Sequence, residues 1–296
     1  MRIALLGLGL IGGSIARALR ERGSDEALAS AQLAAWTPSG EGPATAGREG
    51  VIDEAAVSPE AAIGGADLVI LAGPPPVCLE QLDALAGPWR AALAPDAVIT
   101  DVASTKAVIV GRAEALGLRF VGGHPMAGRE TNGYSAAQAD LFEGRPWVIV
   151  PASSEDASAV DRVEELARAV GARPRRMSAD EHDVAVAAIS HLPLVVAAAL
   201  VDAVAGEADH PRDGWPTASE LAATGWRDMT RLARGDVEMG SGIVTTNAAP
   251  IAARIRDLVE VLEGWLADLE GETGPDADAV TARLRGARDR LGSMPR

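Results

Sequence analysis

The sequence predicts an α/β protein in which a doubly wound parallel sheet is followed by an all-helical domain. Three observations predict it. Short apolar runs alternate with amphipathic stretches as far as residue 177, strand signals cease after Ser178, and helical periodicity alone then carries the chain to residue 269.

The elements follow in order. Residues 3–6 are an unbroken apolar run, as a strand buried on both faces requires, and residues 10–22 form the next helix, with Ile15, Ala18 and Leu19 on its inner side. Strands follow at 33–36 and 68–72, a helix at about 77–93, a strand at 97–101 and a helix at about 104–116. Strands at 119–122 and 147–150, a helix at 155–170 and a strand near 172–177 complete the sheet. Helices are then expected at 179–206, 217–234, 240–246 and 248–269. A Gly/Pro-rich break after Gly271 precedes one exposed helix at 277–291. The implied domains are a dinucleotide-binding domain at 1–177, a helical domain at 178–272 and a C-terminal tail at 273–296.

Composition narrows the function classes. With 48% hydrophobic and 23% charged residues the chain is an ordinary globular one, and its net charge of −15 repels phosphate backbones, so nucleic acid is not an expected partner. The single cysteine, Cys78, makes neither an intrachain disulfide nor a cysteine metal cluster, which points to a reducing cytoplasm and no metal. Lys106 is the one Lys beside 26 Arg, Asn occurs only at 132 and 247, and Tyr only at 134. A rare type that persists against such a bias hints at chemical need.

Two segments imitate other signals. Residues 1–18 resemble a short signal peptide, but Gly7, Gly9, Gly12 and Gly13 interrupt the apolar stretch and fit a strand and turn better. Residues 184–201 carry no formally charged side chain, yet Ser190, His191 and Pro193 sit mid-segment, so a buried core helix is expected and no membrane span.

Gly7-Leu8-Gly9-Leu10-Ile11-Gly12 has the G-x-G-x-x-G spacing directly after a strand and opens a helix. This is the Rossmann dinucleotide context: Gly7 makes the tight turn, Gly9 lets the backbone approach a pyrophosphate, and Gly12 allows close helix–strand packing. The second strand ends at Thr37, where an acid would bind the ribose of NAD. That loss leans toward NADP, but Arg48 is the nearest Arg in sequence, and the choice of NAD or NADP stays open.

The second cluster supplies chemistry. Asp101-Val102-Ala103-Ser104-Thr105-Lys106 lies at the carboxyl edge of the sheet, where ligands bind, and Ser104 is either a helix cap or a site residue. His124, in a loop flanked by Gly122, Gly123 and Gly128, is placed to face a nicotinamide. Arg227 and Arg231 are one i,i+4 step apart on an expected helix.

Together GLGLIGGSIA at the start, DVASTK at 101–106, GGHPMAGRE at 122–130, SHLP at 190–193 and GWRDMTRLA at 225–233 resemble the prephenate and arogenate dehydrogenases of tyrosine biosynthesis. The resemblance implies a homodimer, with the active site between a Rossmann domain and a helical dimerisation domain, and an NAD(P)-dependent oxidative decarboxylation of prephenate to 4-hydroxyphenylpyruvate, or of arogenate to tyrosine. By matching position, His124 accepts a hydrogen bond from the substrate C4 hydroxyl and helps remove its proton, and Ser104 orients His124 or the nicotinamide. Arg231 binds a substrate carboxylate, His191 positions Arg231, and Glu130 shapes the substrate site. Two positions depart from the pattern: Leu194 stands where many relatives have a second His, and Arg129 where Ser or Thr is common. Some relatives carry a further mutase or regulatory domain, for which the 26 residues after Glu270 leave no room. Two rivals remain. A two-domain hydroxyacid dehydrogenase would draw a Lys from its helical half, whereas the one Lys here is Lys106, and a dinucleotide-sensing binding protein would leave His124 and Arg231 incidental.

Overall fold

The computed structural model describes residues 1–22, 26–129, 131–152, 156–207, 209–272 and 274–294. Its main sheet comprises β1 (Arg2–Leu6), β2 (Gln32–Trp36), β3 (Glu54–Ala55), β4 (Leu68–Leu71), β5 (Val98–Asp101), β6 (Phe120–Pro125), β7 (Pro146–Pro151) and β8 (Arg173–Arg176). Their spatial order is β3-β2-β1-β4-β5-β6-β7-β8. The chain winds outward from β1 to β3, then crosses back to β4 on the other side of β1. A crevice therefore opens at the carboxyl ends of β1 and β4, the topological switch point where ligands bind in such sheets.

The apolar alternation of β1 divides the core. Ile3 and Leu5 enter one cluster and Ala4 and Leu6 the other. Ile15 and Leu19 of helix Leu10–Arg22 and Val163 and Leu166 of helix Ala157–Ala169 join the first cluster. Leu82 and Leu85 of helix Pro75–Ala86 and Ile109 and Ala113 of helix Ala107–Ala115 join the second. Each such Leu or Ile, withdrawn from water, stabilises the fold by about 1.5–3 kcal/mol. Helices thus cover both faces, as doubly wound sheets require.

The sheet is not wholly parallel. β6 and β7 pair antiparallel, with His124 opposite Val148, because residues 126–145 return the chain through loops and one short 3-10 turn, whereas a parallel return needs a crossover helix. Helix Pro75–Ala86 stops at Gly87, short of the expected residue 93. Helices Glu41–Arg48 and Pro59–Ile63 arise where Gly and Pro obscured the pattern, the latter capped by the Ser58 side chain, which accepts from Ala61 N–H at 3.2 Å.

After β8, Ser178 and Glu181 form a capping box that starts helix Ala179–Val186. The helix widens into a π segment, Ala187–His191, where Leu192 N–H donates five residues back to Ala187, and resumes as Leu192–Ala205. Pro193 explains the widening: its ring clashes with the carbonyl four residues earlier and brings no N–H, so the ladder slips by one residue. This helix departs from the buried core helix expected. It is long and apolar enough to cross a membrane, yet only 22% of its apolar window is buried, and Val184 and Ile189 are exposed at 55% and 69%. The expected helix 217–234 is instead Trp215–Glu220, Thr224–Thr230 and a 3-10 turn, Arg231–Arg234. A two-residue antiparallel hairpin, Gly206–Glu207 with His210–Pro211, interrupts the helices. Helix Val237–Thr246 follows. By contact density the chain divides into compact units at Met1–Ala248 and Ala249–Arg296. The second unit holds most of helix Ala248–Leu269 together with Ala277–Gly292, joined by an Asp268–Arg283 ion pair with Arg283 over the Trp265 ring.

Candidate active site

The glycine turn is shaped by sterics. Gly7 has φ +117°, and a Cβ there would lie 2.6 Å from the carbonyl oxygen of Ala72. A Cβ on Gly12 would lie 2.3 Å from the carbonyl oxygen of Gly7, whereas at Gly9 it would meet nothing within 4 Å. Gly7 and Gly12 therefore close the turn, and Gly9 leaves open the space a dinucleotide needs at the N-terminus of helix Leu10–Arg22. Gly9, Leu10, Ile11, Gly73, Ser104 and His124 line a cavity of about 410 Å³, within the range of small-molecule sites. Leu8, Gly9, Thr37 and Ser39 line a second cavity at the end of β2. Sequence distance misled there: Arg17 lines that cavity, one helix away, although its guanidinium is held by Glu49 at 2.7 Å and lies 4.8 Å from the Tyr134 ring centre. Thr37 Oγ1 accepts from Gly40 N–H at 3.1 Å.

His124 is not in a loop. It sits near the end of β6, because Gly122 and Gly123 let the strand run close beneath it, where a Cβ at Gly123 would come within 2.6 Å of the Asp101 carbonyl oxygen. Its ring is half-buried, with Nδ1 2.8 Å from His182 Nε2. His182 Nδ1 in turn lies 2.7 Å from Asp183 Oδ1. Asp183 also accepts the N–H groups of Lys106 and Ala107, each at 2.8 Å. Burial opposes its ionisation, but the His182 hydrogen bond and these two N–H donors outweigh that and hold its carboxyl below the usual range. An ionised carboxylate only accepts, so His182 Nδ1 carries the proton. The His182–His124 contact couples the two rings: a His182 Nε2 that carries no proton accepts from His124 Nδ1–H and leaves the His124 lone pair on Nε2. Burial, then the nearby His182 and Lys106, pushes the His124 pKa well below its ordinary value and keeps the ring neutral.

Lys106 is wholly buried beneath this array and pairs with the equally buried Asp101. Asp101 also accepts from Gly123 N–H at 3.1 Å and Ala103 N–H at 3.0 Å, which ties the end of β5 to the strand bearing His124. Ser104 does not cap the next helix, which begins after Lys106 with the N–H groups of Lys106 and Ala107 taken by Asp183. Ser104 lines the cofactor-side cavity and an adjoining one instead.

That adjoining cavity, about 470 Å³, shares Ser104 and His124 with the first and is completed by Ser190, His191, Leu194, Arg231 and Ile243. Arg231 reaches it from the 3-10 turn, and Arg227, one turn earlier, does not line it. His191 lies in the π segment with its Nδ1 3.0 Å from Asn247 Nδ2, and burial pushes its pKa down to about 4. Leu194 and Arg129 both line the cavity. Glu130 lies outside the described residues. No group of His, Cys, Asp and Glu among the described residues is arranged to hold a metal ion.

Sequence reasoning missed His182 and Asp183, and marked Asn247 by its rarity without giving it a role. His182 and Asp183 sit in an ordinary helix-opening stretch, and no local motif marks them. Rarity was the available signal, since the chain has four His and two Asn.

Residues 15–175 match the nucleotide-binding domain of prephenate dehydrogenase, and residues 178–270 match the dimerization domain of that family. A prephenate dehydrogenase of Bacillus subtilis is 33% identical over 296 residues, covering 99% of this chain and 76% of its own. The structure of A. aeolicus prephenate dehydrogenase in complex with hydroxyphenyl propionate and NAD+ superposes with a TM-score of 0.83 at 27% identity, covering 99% of this chain and 98% of its own. Synechocystis arogenate dehydrogenase does so with a TM-score of 0.76 at 31% identity, covering 98% and 100%.

Proposed function

The chain belongs to the prephenate dehydrogenase family, and from that premise we propose that it converts prephenate to 4-hydroxyphenylpyruvate and carbon dioxide. Bound in the glycine-lined cavity, NAD(P)+ supplies the acceptor for the hydride on substrate C4. His124, whose Nε2 lone pair is fixed by His182 and Asp183, takes the proton of the C4 hydroxyl as that carbon becomes a carbonyl. The C1–carboxylate bond then breaks, its electron pair aromatises the ring, and the proton returns to the phenolic oxygen, so the only net products are the aromatic acid, carbon dioxide and reduced cofactor. Arg231 takes the side-chain carboxylate, as a guanidinium fork suits, Ser104 orients His124 or the nicotinamide, and His191 completes the substrate cavity. Gly7, Leu8, Gly9, Leu10, Ile11 and Gly12 hold the pyrophosphate end, and Thr37 the ribose end.

The observation that carries this reading is the position of His124 on the wall shared by the two cavities. The test is the absorbance of reduced nicotinamide with prephenate and arogenate, each against NAD and NADP. Turnover of prephenate above arogenate is expected, and no turnover of either with either cofactor would refute the assignment. Arogenate is the second reading: Leu194 removes a polar side chain from the substrate wall, and an arogenate dehydrogenase is among the similar structures.

The exposed apolar helix belongs to the region matching a dimerization domain, and we take the working form to be a cytoplasmic homodimer built on residues 178–272, with 1–177 binding cofactor and 273–296 as a tail. Light scattering that found only monomer at micromolar concentration would refute it.

A further inference from the structure

We propose that Asn247 is a positioning residue that locks His191 in the Nε2–H tautomer, making it a neutral hydrogen-bond donor to an oxygen of the substrate. Asn247 Nδ2 lies 2.9 Å from the carbonyl oxygen of Asp183 and 3.0 Å from His191 Nδ1. A carbonyl oxygen only accepts, so the amide atom facing it is the NH2 group, and this orientation follows from chemistry rather than from appearance. The same nitrogen has a second hydrogen, and it points the amide's remaining donor at His191 Nδ1. That ring nitrogen must therefore hold the lone pair, and the single proton of a neutral imidazole must sit on Nε2.

Nε2 is the atom left over. It is buried and has no hydrogen-bond partner among the described residues, in a side chain only 1% exposed that lines the substrate-side cavity with Ser190, Leu194 and Arg231. Buried donors almost always have acceptors, and an orphan in a cavity wall is satisfied when a ligand brings one. Burial also holds the His191 pKa down to about 4, so the ring stays uncharged. Arg231 then supplies the charge at this wall and His191 a directed hydrogen bond. Asn247 is one of only two Asn in the chain, which accords with a need that the compositional bias did not erase.

The substrate half of this inference rests on the dehydrogenase reading, whereas the tautomer half does not. Nitrogen-15 NMR of the histidine rings in the cofactor-loaded wild type should show His191 with its proton on Nε2, and a proton on Nδ1 overturns the proposal outright. In Asn247→Asp the carboxylate accepts from the ring, so the proton should move to Nδ1. Affinity for 3-(4-hydroxyphenyl)propionate, measured by calorimetry, should then fall about 10- to 100-fold, as for a lost hydrogen bond to a charged group, with NAD affinity unchanged. His191→Gln, which keeps an N–H near the Nε2 position, should retain KM within a few-fold, and His191→Leu should raise it about 10- to 100-fold with a smaller change in kcat. An Asn247→Asp protein that moves the proton yet binds the acid as before, or equal KM values for the two His191 variants, overturns it. If the wild type shows the Nε2 proton but oxidises neither prephenate nor arogenate, the dehydrogenase reading falls and the tautomer assignment stands.

Discussion

The cofactor wall and the substrate wall of the site present different things to a ligand. Along the β1 turn the chain offers main-chain groups and empty space, with Gly9 open and Gly7 and Gly12 packed against neighbouring backbone. Along the helical side it offers side chains, several of them delivered from far away in sequence: His182 reaches His124 across 58 residues, and Asn247 reaches His191 across 56. A main-chain wall binds by geometry and is damaged by added bulk. A side-chain wall acts by proton position and charge, and is damaged by removing a group.

The largest effect that would sharpen this contrast is His124→Asn. Loss of a general base typically costs about 10²–10⁴-fold in kcat, while NAD affinity by calorimetry should change far less, because the main-chain groups of the β1 turn stay in place. Equal loss of both would mean that the two walls are not separable. Arg231→Ala should raise KM for the substrate about 10- to 100-fold in initial-rate kinetics with a lesser effect on kcat, and an unchanged KM would remove Arg231 from carboxylate binding. Gly9→Ala tests the opposite wall: the new methyl enters space free of protein atoms, so the melting temperature should hold while the Kd for NAD rises about tenfold, some 1.4 kcal/mol. A melting temperature that fell instead would show the space to be needed by the fold.

The smallest effect is in pH. His124 works in its neutral form, and its pKa lies well below the ordinary 6.5 because burial, His182 and Lys106 all disfavour the charged ring. Lowering the pH therefore protonates it only after passing this depressed value, and the acid limb of kcat/KM should fall below pH 6.5. A limb at 6.5 or above would mean that a different group controls the rate.

The same contrast governs what could be read in advance. Gly7, Gly9 and Gly12 were legible because a tight turn between adjacent strand and helix writes its requirements into six consecutive residues. Lys106 stood out only by rarity, and its place, buried against Asp101 beneath the site, needed the third dimension. His124 was assigned to a loop but stands near the end of β6, since glycines within a strand look like a loop in one dimension. The buried core helix expected at 184–201 proved largely exposed, because hydropathy says that a surface avoids water and not what covers it.

By itself, then, the sequence determined the strand–helix alternation and the switch-point turn, which follow from local periodicity and from a motif whose spacing is set by neighbouring residues. Its family resemblance pointed to His124, Ser104, His191 and Arg231, and the structure places these four along the walls of the two adjoining cavities. The tertiary structure alone decided which groups the site histidines face: Asp183 stands behind His182 and Asn247 beside His191, and a ring proton's position is fixed by hydrogen-bond partners in space, whatever their separation along the chain.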